Sequence, residues 1–178
     1  MTQTRPIQYV SRSQATLEGA GVFIPSGGAV KMLHATLARN TGGDGGGITL
    51  GWYDWQSPGV TTLAMTDTIL AYQDIGIKVS DASTVTVAGV LWFANSSNVW
   101  QSEDATLWAW GEHTGDPLFV NPDIGDYHIG EDSAARNMGL PSAVTWDMDY
   151  ELRPMGGVWD LGADEFFELW LFLPMVVK

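Results

Sequence analysis

The stretch Gly76–Asn95 reads GIKVSDASTVTVAGVLWFAN, and its pattern is the clearest indication of the fold class. A short apolar segment that begins with glycine is followed by a turn at 80–82 and then by a run in which valines alternate with threonines. Alternation with a period of two is typical of a β-strand that buries one face. The stretch therefore predicts two strands joined by a tight turn.

The same order of elements occurs twice earlier in the chain. Segment 21–24 (GVFI) precedes a strand-like run at 29–37, and segment 47–50 (GITL) precedes another at 61–72. The starting glycines Gly21, Gly47 and Gly76 recur at similar intervals. Repeats of roughly 20–45 residues are typical of solenoids, in which each coil buries its inner face by stacking on its neighbours. A β-sandwich is the alternative, but its strands would not repeat this pair of elements in the same order.

The composition supports an all-β chain and excludes several classes of function. Hydrophobic residues make up 45% of the chain and charged residues only 16%, with 21 glycines for turns. The net charge of −13 would repel phosphate backbones and anionic lipid, so nucleic acid is excluded as a partner. The chain has no cysteine, which excludes disulfides and thiolate chemistry. The longest apolar run, 166–177, is interrupted by Glu168 and is too short for a transmembrane segment, which needs about 20 residues.

A second informative stretch, Gly115–Phe166, is dense in turn formers and carboxylates. It reads GDPLFVNPDIGDYHIGEDSAARNMGLPSAVTWDMDYELRPMGGVWDLGADEF. Pro117 and Pro122 lack an N–H group, so neither residue extends a hydrogen-bonded ladder. The last coil of a solenoid exposes unpaired strand groups that need a cover. We expect this segment to form a loop-rich cap over the open end.

An acidic network is predicted to hold that cap together. Its members are Asp147, Asp149, Arg153, Asp160, Asp164 and Glu165. The guanidinium of Arg153 presents a fork of donors that matches a carboxylate, which favours a structural role. A calcium site, centred on Asp147, Asp149 and Asp160, is the alternative interpretation, because Ca²⁺ takes oxygen ligands and these residues supply them together with Asp164 and Glu165. No other cofactor is predicted.

Aromatic residues provide candidate binding positions. Trp52, Tyr53 and Trp55 lie in an insertion between two repeats, where function often concentrates, and are the predicted carbohydrate-binding residues. Four further tryptophans could extend a sugar-binding face, namely Trp92, Trp100, Trp108 and Trp110. The competing interpretation is aromatic packing in the core and between coils. The three histidines have no metal-ligand spacing, and His128 is predicted to make structural hydrogen bonds.

These motifs resemble the right-handed parallel β-helix repeat proteins of the pectate-lyase-like superfamily, in particular large bacterial secreted or surface proteins. The coil pattern of that family is matched by Asp67-Thr68-Ile69-Leu70 followed by Gly76-Ile77-Lys78-Val79. The closing motifs of the family are matched by GDPLFVNP at 115–122, by DYHI at 126–129 with Ser133 and Ala135, and by Asp147, Asp149, Arg153, Pro154, Gly156, Asp160, Leu161, Gly162, Ala163 and Glu165. The chain departs from the family at Asn137, where Asp is usual, and at Tyr150, where Gly is usual.

The resemblance implies a right-handed parallel β-helix with a C-terminal cap. We expect an N-terminal segment at 1–19, coils at 20–114, the cap at 115–166 and a hydrophobic tail at 167–178. The implied role is a non-catalytic structural or adhesion segment of a secreted or cell-surface protein that contacts polysaccharide or surface glycan. The alternative is a polysaccharide lyase or glycoside hydrolase of the same class. Because residues 1–14 lack a signal peptide, we expect upstream coils of a longer chain.

Overall fold

The described part of the protein is built of β-strands. The structure is a computed structural model that describes residues 9–11, 14–15, 21–43, 46–51, 59–80 and 82–167, with the side chains described from residue 21 onward. The strands are β1 (Tyr9–Ser11), β2 (Gln14–Ala15), β3 (Val22–Ile24), β4 (Ala29–Leu33), β5 (Thr36–Ala38), β6 (Thr41–Gly42), β7 (Ile48–Leu50), β8 (Thr61–Ala71), β9 (Ile75–Val79), β10 (Ser83–Phe93), β11 (Ser97–Gln101), β12 (Thr106–Thr114), β13 (Phe119–Asn121) and β14 (Asp126–Ile129). Within these ranges, no helix has the length and apolarity that crossing a bilayer requires.

Two parallel sheets carry most of the strands. One has the order β1-β5-β8-β10-β12, with β4 also paired to β8, and the other has the order β11-β9-β7-β3. From β7 to β12 the chain alternates between the two sheets. The register is regular, because Val85 of β10 lies between Leu63 of β8 and Leu107 of β12, at the same distance in sequence from each. The prediction of an all-β chain with parallel pairing is confirmed.

Residues in the left-handed backbone region lie in register across the first sheet. His34, Asp67, Gly89 and Gly111 occupy equivalent positions, with φ of 45°, 52°, 73° and 64°. Each of these residues bends the chain at the same height, so the sheet turns a corner there. Glycine suits position 89 because a Cβ there would lie 2.5 Å from Oδ1 of Asp67.

A ladder of amide side chains stacks at the next turn. The backbone N–H of Asn40 donates to Oε1 of Gln73 at 3.1 Å, and the backbone N–H of Gln73 donates to Oδ1 of Asn95 at 2.9 Å. The Nδ2 group of Asn95 donates to the carbonyl of Leu70 at 2.9 Å. Because Asn40 and Gln73 are buried, these bonds satisfy backbone groups that water does not reach. The ladder fixes the register of successive turns.

Beyond its corner, the first sheet buries both of its faces, and neighbouring residues of β8 show this. Leu70 lies between the two sheets in a core that includes Leu37 and Trp92, its neighbours in register. Ile69 points to the opposite face, where it packs with Leu91 and with Leu161 of the C-terminal segment. Each fully buried side chain of this size contributes roughly 1.5–3 kcal/mol. The sheet therefore has an inner core and a second core that the C-terminal segment completes.

The C-terminal segment, residues 115–166, covers this outer sheet face. It begins with the antiparallel pair β13 and β14 and continues through turns. The N–H of Gly162 donates to the carbonyl of Asp67 at 2.9 Å, and the N–H of Ala163 donates to Oγ1 of Thr36 at 3.0 Å. The sequence predicts a cover over the open end of the coils, beyond β12. These contacts instead reach back to β5 and β8, because the outer residues of those strands supply an apolar face that Leu161 and Ile129 bury.

Candidate functional site

The predicted network is centred on Arg153, whose side chain is fully buried. Its NH1 group donates to the carbonyl of Asp160 at 3.2 Å and lies 3.4 Å from Oε2 of Glu165. Its NH2 group donates to the carbonyl of Gly162 at 2.9 Å. The guanidinium thus binds the carbonyls of a turn as well as a carboxylate, which uses several of its donors. Arg153 holds together residues 160–165, the part of the segment that lies on the sheet.

The carboxylates around Arg153 accept hydrogen bonds from backbone N–H groups. Oδ1 of Asp147 accepts from the N–H groups of Asp149 and Glu151 at 2.9 and 2.8 Å, and its Oδ2 accepts from Glu165 at 3.2 Å. Glu165 in turn accepts from Met155 at 2.8 Å and from Asp160 at 3.1 Å. Such bonds satisfy the donors of a segment that has little regular structure.

Asp160 binds two distant parts of the segment. It accepts from the N–H of Asn137 at 2.6 Å and from the N–H of Phe166 at 2.7 Å. Asn137 has a φ of 56°, and Tyr150, the other departure from the family pattern, has a φ of 69°. Asparagine adopts this backbone region more readily than most residues, whereas tyrosine does so at a cost in strain.

On the sheet side, the network includes two residues that we did not assign to it from the sequence. NH1 of Arg153 donates to Nδ1 of His34 at 2.9 Å, and Nε2 of His34 lies 3.4 Å from Oδ2 of Asp67. Burial, aided by the charge of Arg153, lowers the pKa of His34 to about 3. Burial raises the pKa of Asp67 to about 6, against a hydrogen bond from Leu140 and the charge of Arg153. Asp67, Gly89 and Gly111 are evenly spaced in the sequence, and this spacing could have indicated that Asp67 occupies a corner position.

A cleft of about 500 Å³ opens beside His128 at the start of the same segment. Nδ1 of His128 lies 2.5 Å from Oδ1 of Asp126, and its Nε2 contacts Oδ2 of Asp149. Burial by itself would lower the pKa of His128, but the hydrogen bonds to Asp126 and Asp149 raise it to about 9. The rest of the cleft is lined by Ile124, Gly125, Tyr127 and Met148. His128 is therefore a partly exposed cation between two carboxylates, in agreement with the predicted hydrogen-bonding role.

Of the predicted calcium ligands, Asp149 and Asp164 belong to a group of side chains that lie close enough to hold a metal ion together. Among the described residues, ligand atoms of His128, Asp149 and Asp164 lie within 4.8 Å of one another. Asp164 also accepts a hydrogen bond from the N–H of Ile129 at 2.7 Å, and burial raises its pKa to about 6. Asp147 and Asp160 direct their oxygens to the backbone N–H groups given above. Calcium binding at Asp147, Asp149 and Asp160 stays a prediction.

The aromatic candidates fall into separate groups. Trp52, Tyr53 and Trp55 lie outside the described residues, as does the tail beyond Phe167. Trp92 is buried and donates from Nε1 to Oε2 of Glu112 at 2.9 Å. Trp108 and Trp110 on β12 are 58% and 52% exposed, and Trp100 on β11 lies under the ammonium of Lys78. The structure thus exposes two tryptophans on one strand of the larger sheet.

Comparisons with known proteins add no identification: no family model, no curated protein and no solved structure matches this chain.

Proposed function

We propose that this chain is a non-catalytic structural or adhesion module, built as a right-handed parallel β-helix, of a bacterial secreted or cell-surface protein that contacts carbohydrate. The alternation of the chain between two parallel sheets supports a β-helix, since each coil contributes a strand to both. The register supports it too, because each strand pairs with the equivalent strand of the next repeat in the sequence. The motif resemblance supports the handedness and the surface location.

The hydrogen bonds of the buried carboxylates are the observation that supports the non-catalytic role. The most buried acidic groups of the C-terminal segment, Asp147, Asp160 and Glu165, accept hydrogen bonds from two or three backbone N–H groups each. A carboxylate used in this way is held in place and shielded from a substrate, whereas a general acid or nucleophile must reach the reacting atoms. The network therefore serves to hold the segment on the sheet.

A turnover assay tests this role. The purified chain is incubated with uronate polymers and with neutral polysaccharides, and the products are followed by the ultraviolet absorbance of unsaturated uronates and by the release of reducing ends. We expect neither signal above that of the heat-denatured protein. Sustained release of either product, in proportion to protein concentration, contradicts the non-catalytic role.

The cleft at His128 supports a second candidate, a polysaccharide lyase or glycoside hydrolase. Its imidazolium and the flanking carboxylates of Asp126 and Asp149 are partly exposed, so a polymer could reach them. If turnover is observed, Asp149→Asn should abolish it. Asp123→Asn is the matched control, because Asp123 is an exposed carboxylate outside the cleft whose ion pair is with Arg39.

A further inference from the structure

The outer face of the first sheet, before its corner, carries three straight rows of side chains. In the structure, each row runs through β4, β8, β10 and β12 in unbroken register. The rows are Ala29-Thr62-Thr84-Thr106, Lys31-Ala64-Thr86-Trp108 and Leu33-Thr66-Ala88-Trp110. We call these twelve residues the threonine shelf. The residues between them, such as Leu63 and Val85, point to the inner core, so the shelf is the other side of the same sheet.

The chemistry of the shelf differs from that of the rest of the protein. Five of its members are threonines and none is acidic, although the chain has 21 acidic residues and a net charge of −13. Lys31 is its one charged residue. The alanines and threonines are short, so the indoles of Trp108 and Trp110 stand above them at one edge. The shelf is an almost neutral surface with hydroxyl groups and an aromatic border.

The two indoles are placed to act together. Trp108 and Trp110 are alternate residues of β12, so both side chains leave the same face of the strand, with Cα atoms about 7 Å apart. Both are more than half exposed. In the described part of the chain, the C-terminal segment packs at the corner, where Leu140 donates to Asp67, and beyond it on residues such as Ile69 and Leu91. Tryptophan combines an apolar ring with a polar N–H group, which suits both residues to a binding surface.

We propose that the threonine shelf binds a neutral polysaccharide, with sugar rings stacked on Trp108 and Trp110. This inference rests on the proposed carbohydrate-contacting role and gives it a location and a ligand class. The C–H face of a sugar ring is apolar and stacks on an indole, while the hydroxyls at its edge exchange hydrogen bonds with threonine hydroxyls. A uronate polymer is disfavoured, because the negative charge of the whole chain repels it.

Affinity electrophoresis through gels that contain a soluble polysaccharide tests the proposal. The probes are mixed-linkage β-glucan, galactomannan and dextran, with polygalacturonate as the charged comparator. We expect at least one neutral polymer to retard the wild-type chain and polygalacturonate to leave its mobility unchanged. Retardation by none of the neutral polymers, or by polygalacturonate alone, overturns the proposal.

The variants locate the binding. Combined W108A and W110A substitutions should weaken binding by at least about tenfold, whereas Trp146→Ala, which removes a 51% exposed tryptophan from the C-terminal segment, should leave binding unchanged. If the double variant fails to fold, tyrosine at both positions keeps an aromatic face and should retain most of the binding. Thr86→Val keeps the shape of the shelf, removes one hydroxyl and should weaken binding roughly 2- to 10-fold.

Three results distinguish this inference from the proposed function. Wild-type affinity in the double variant overturns the shelf as the binding site but leaves the non-catalytic role standing. Turnover of a bound polymer contradicts the non-catalytic role, and loss of binding in the double variant would still support the shelf. A wild-type dimer in sedimentation that the double substitution converts to a monomer overturns the proposal in favour of a self-association face.

Discussion

Arg153 and His34 are 119 residues apart in the chain, yet the guanidinium of Arg153 donates a 2.9 Å hydrogen bond to Nδ1 of His34. Because arginine only donates, Nδ1 accepts, and the proton of the neutral imidazole lies on Nε2, which faces Asp67. A continuous path of polar contacts therefore runs from Asp67 through His34 and Arg153 to Glu165. This path joins the corner of the sheet to the C-terminal segment, and its energetics can be measured.

Arg153→Met should lower the free energy of unfolding by about 3–5 kcal/mol. The substitution removes the partner of a buried carboxylate and leaves the carbonyls of Asp160 and Gly162 without their donors. Urea denaturation measures the loss. Arg39→Met is the matched control. Because Arg39 pairs with the exposed Asp123, this substitution should lower the free energy of unfolding by no more than about 1 kcal/mol. Similar losses in the two variants would show that the buried network adds little to stability.

Gly162→Ala should destabilise the protein more than Gly157→Ala. Both glycines lie in the left-handed region, at φ of 93° and 96°, so alanine meets about the same backbone cost, roughly 1–2 kcal/mol. At position 162 a Cβ would also lie 2.5 Å from Cδ1 of Ile69 and 2.8 Å from Oγ1 of Thr36, whereas position 157 has nothing within 4 Å. The clash should add about 1–3 kcal/mol in thermal or urea unfolding. Equal losses of stability in the two variants would contradict the close contact between Gly162 and the sheet.

Asn95→Ala should lower the free energy of unfolding by about 1–3 kcal/mol, because it removes the acceptor for the backbone N–H of Gln73. The effect should exceed that of Asn121→Ala, which changes an exposed asparagine in the C-terminal segment. Amide hydrogen exchange gives a local test, since the N–H of Gln73 should lose protection in the first variant and keep it in the second. Unchanged protection in both would contradict the role of the amide ladder.

Stability should fall as the pH rises from about 6.5 to about 9. Burial raises the pKa of Glu165 to about 7, and hydrogen bonds to two carboxylates outweigh burial to raise the pKa of His128 to about 9. Each group binds its proton more tightly in the folded chain than in the unfolded one, so its contribution is present at low pH and is lost as the pH passes the folded value. Urea midpoints across this range measure the decline.

His128→Gln is the control for this pH dependence. It should flatten the decline above about pH 7, because the raised pKa of His128 has its effect in that range. Below about pH 6.5 the lowered pKa of His34 has the opposite effect on stability. The unfolded chain binds a proton there that His34 in the folded chain does not bind, so stability falls as the pH falls. A midpoint that rises from about pH 6.5 to about pH 9, or an equal slope in the variant, would contradict the assignment.

The fold class could be predicted because its signal is local. The alternation of valine and threonine in 83–87 indicates a strand with one buried face. The repeated order of elements indicates that the repeats stack in parallel. The network could be predicted in part for the same reason, since Asp147, Arg153, Asp160 and Glu165 lie close together in the sequence. The structure brings all four into one connected set of hydrogen bonds.

The partners of that network on the sheet could not be predicted. Leu140 and Asp67 are 73 residues apart, and Ala163 and Thr36 are 127 apart, so no sequence window contains either pair. The location of the C-terminal segment was missed for a related reason. Its turn residues and prolines indicate a cover for exposed strands, but they carry no information about whether the exposed surface is the end of the stack or its side.

Parallel β-strands with one buried face follow from the sequence alone, because a period of two and a repeat of similar segments are properties of neighbouring residues. The folded arrangement sets which outer face the C-terminal segment covers, which histidine contacts Arg153 and which tryptophans remain exposed. Those outcomes depend on how the coils stack. A shift of one residue in register would exchange the two faces of a strand and, with them, the buried and exposed side chains.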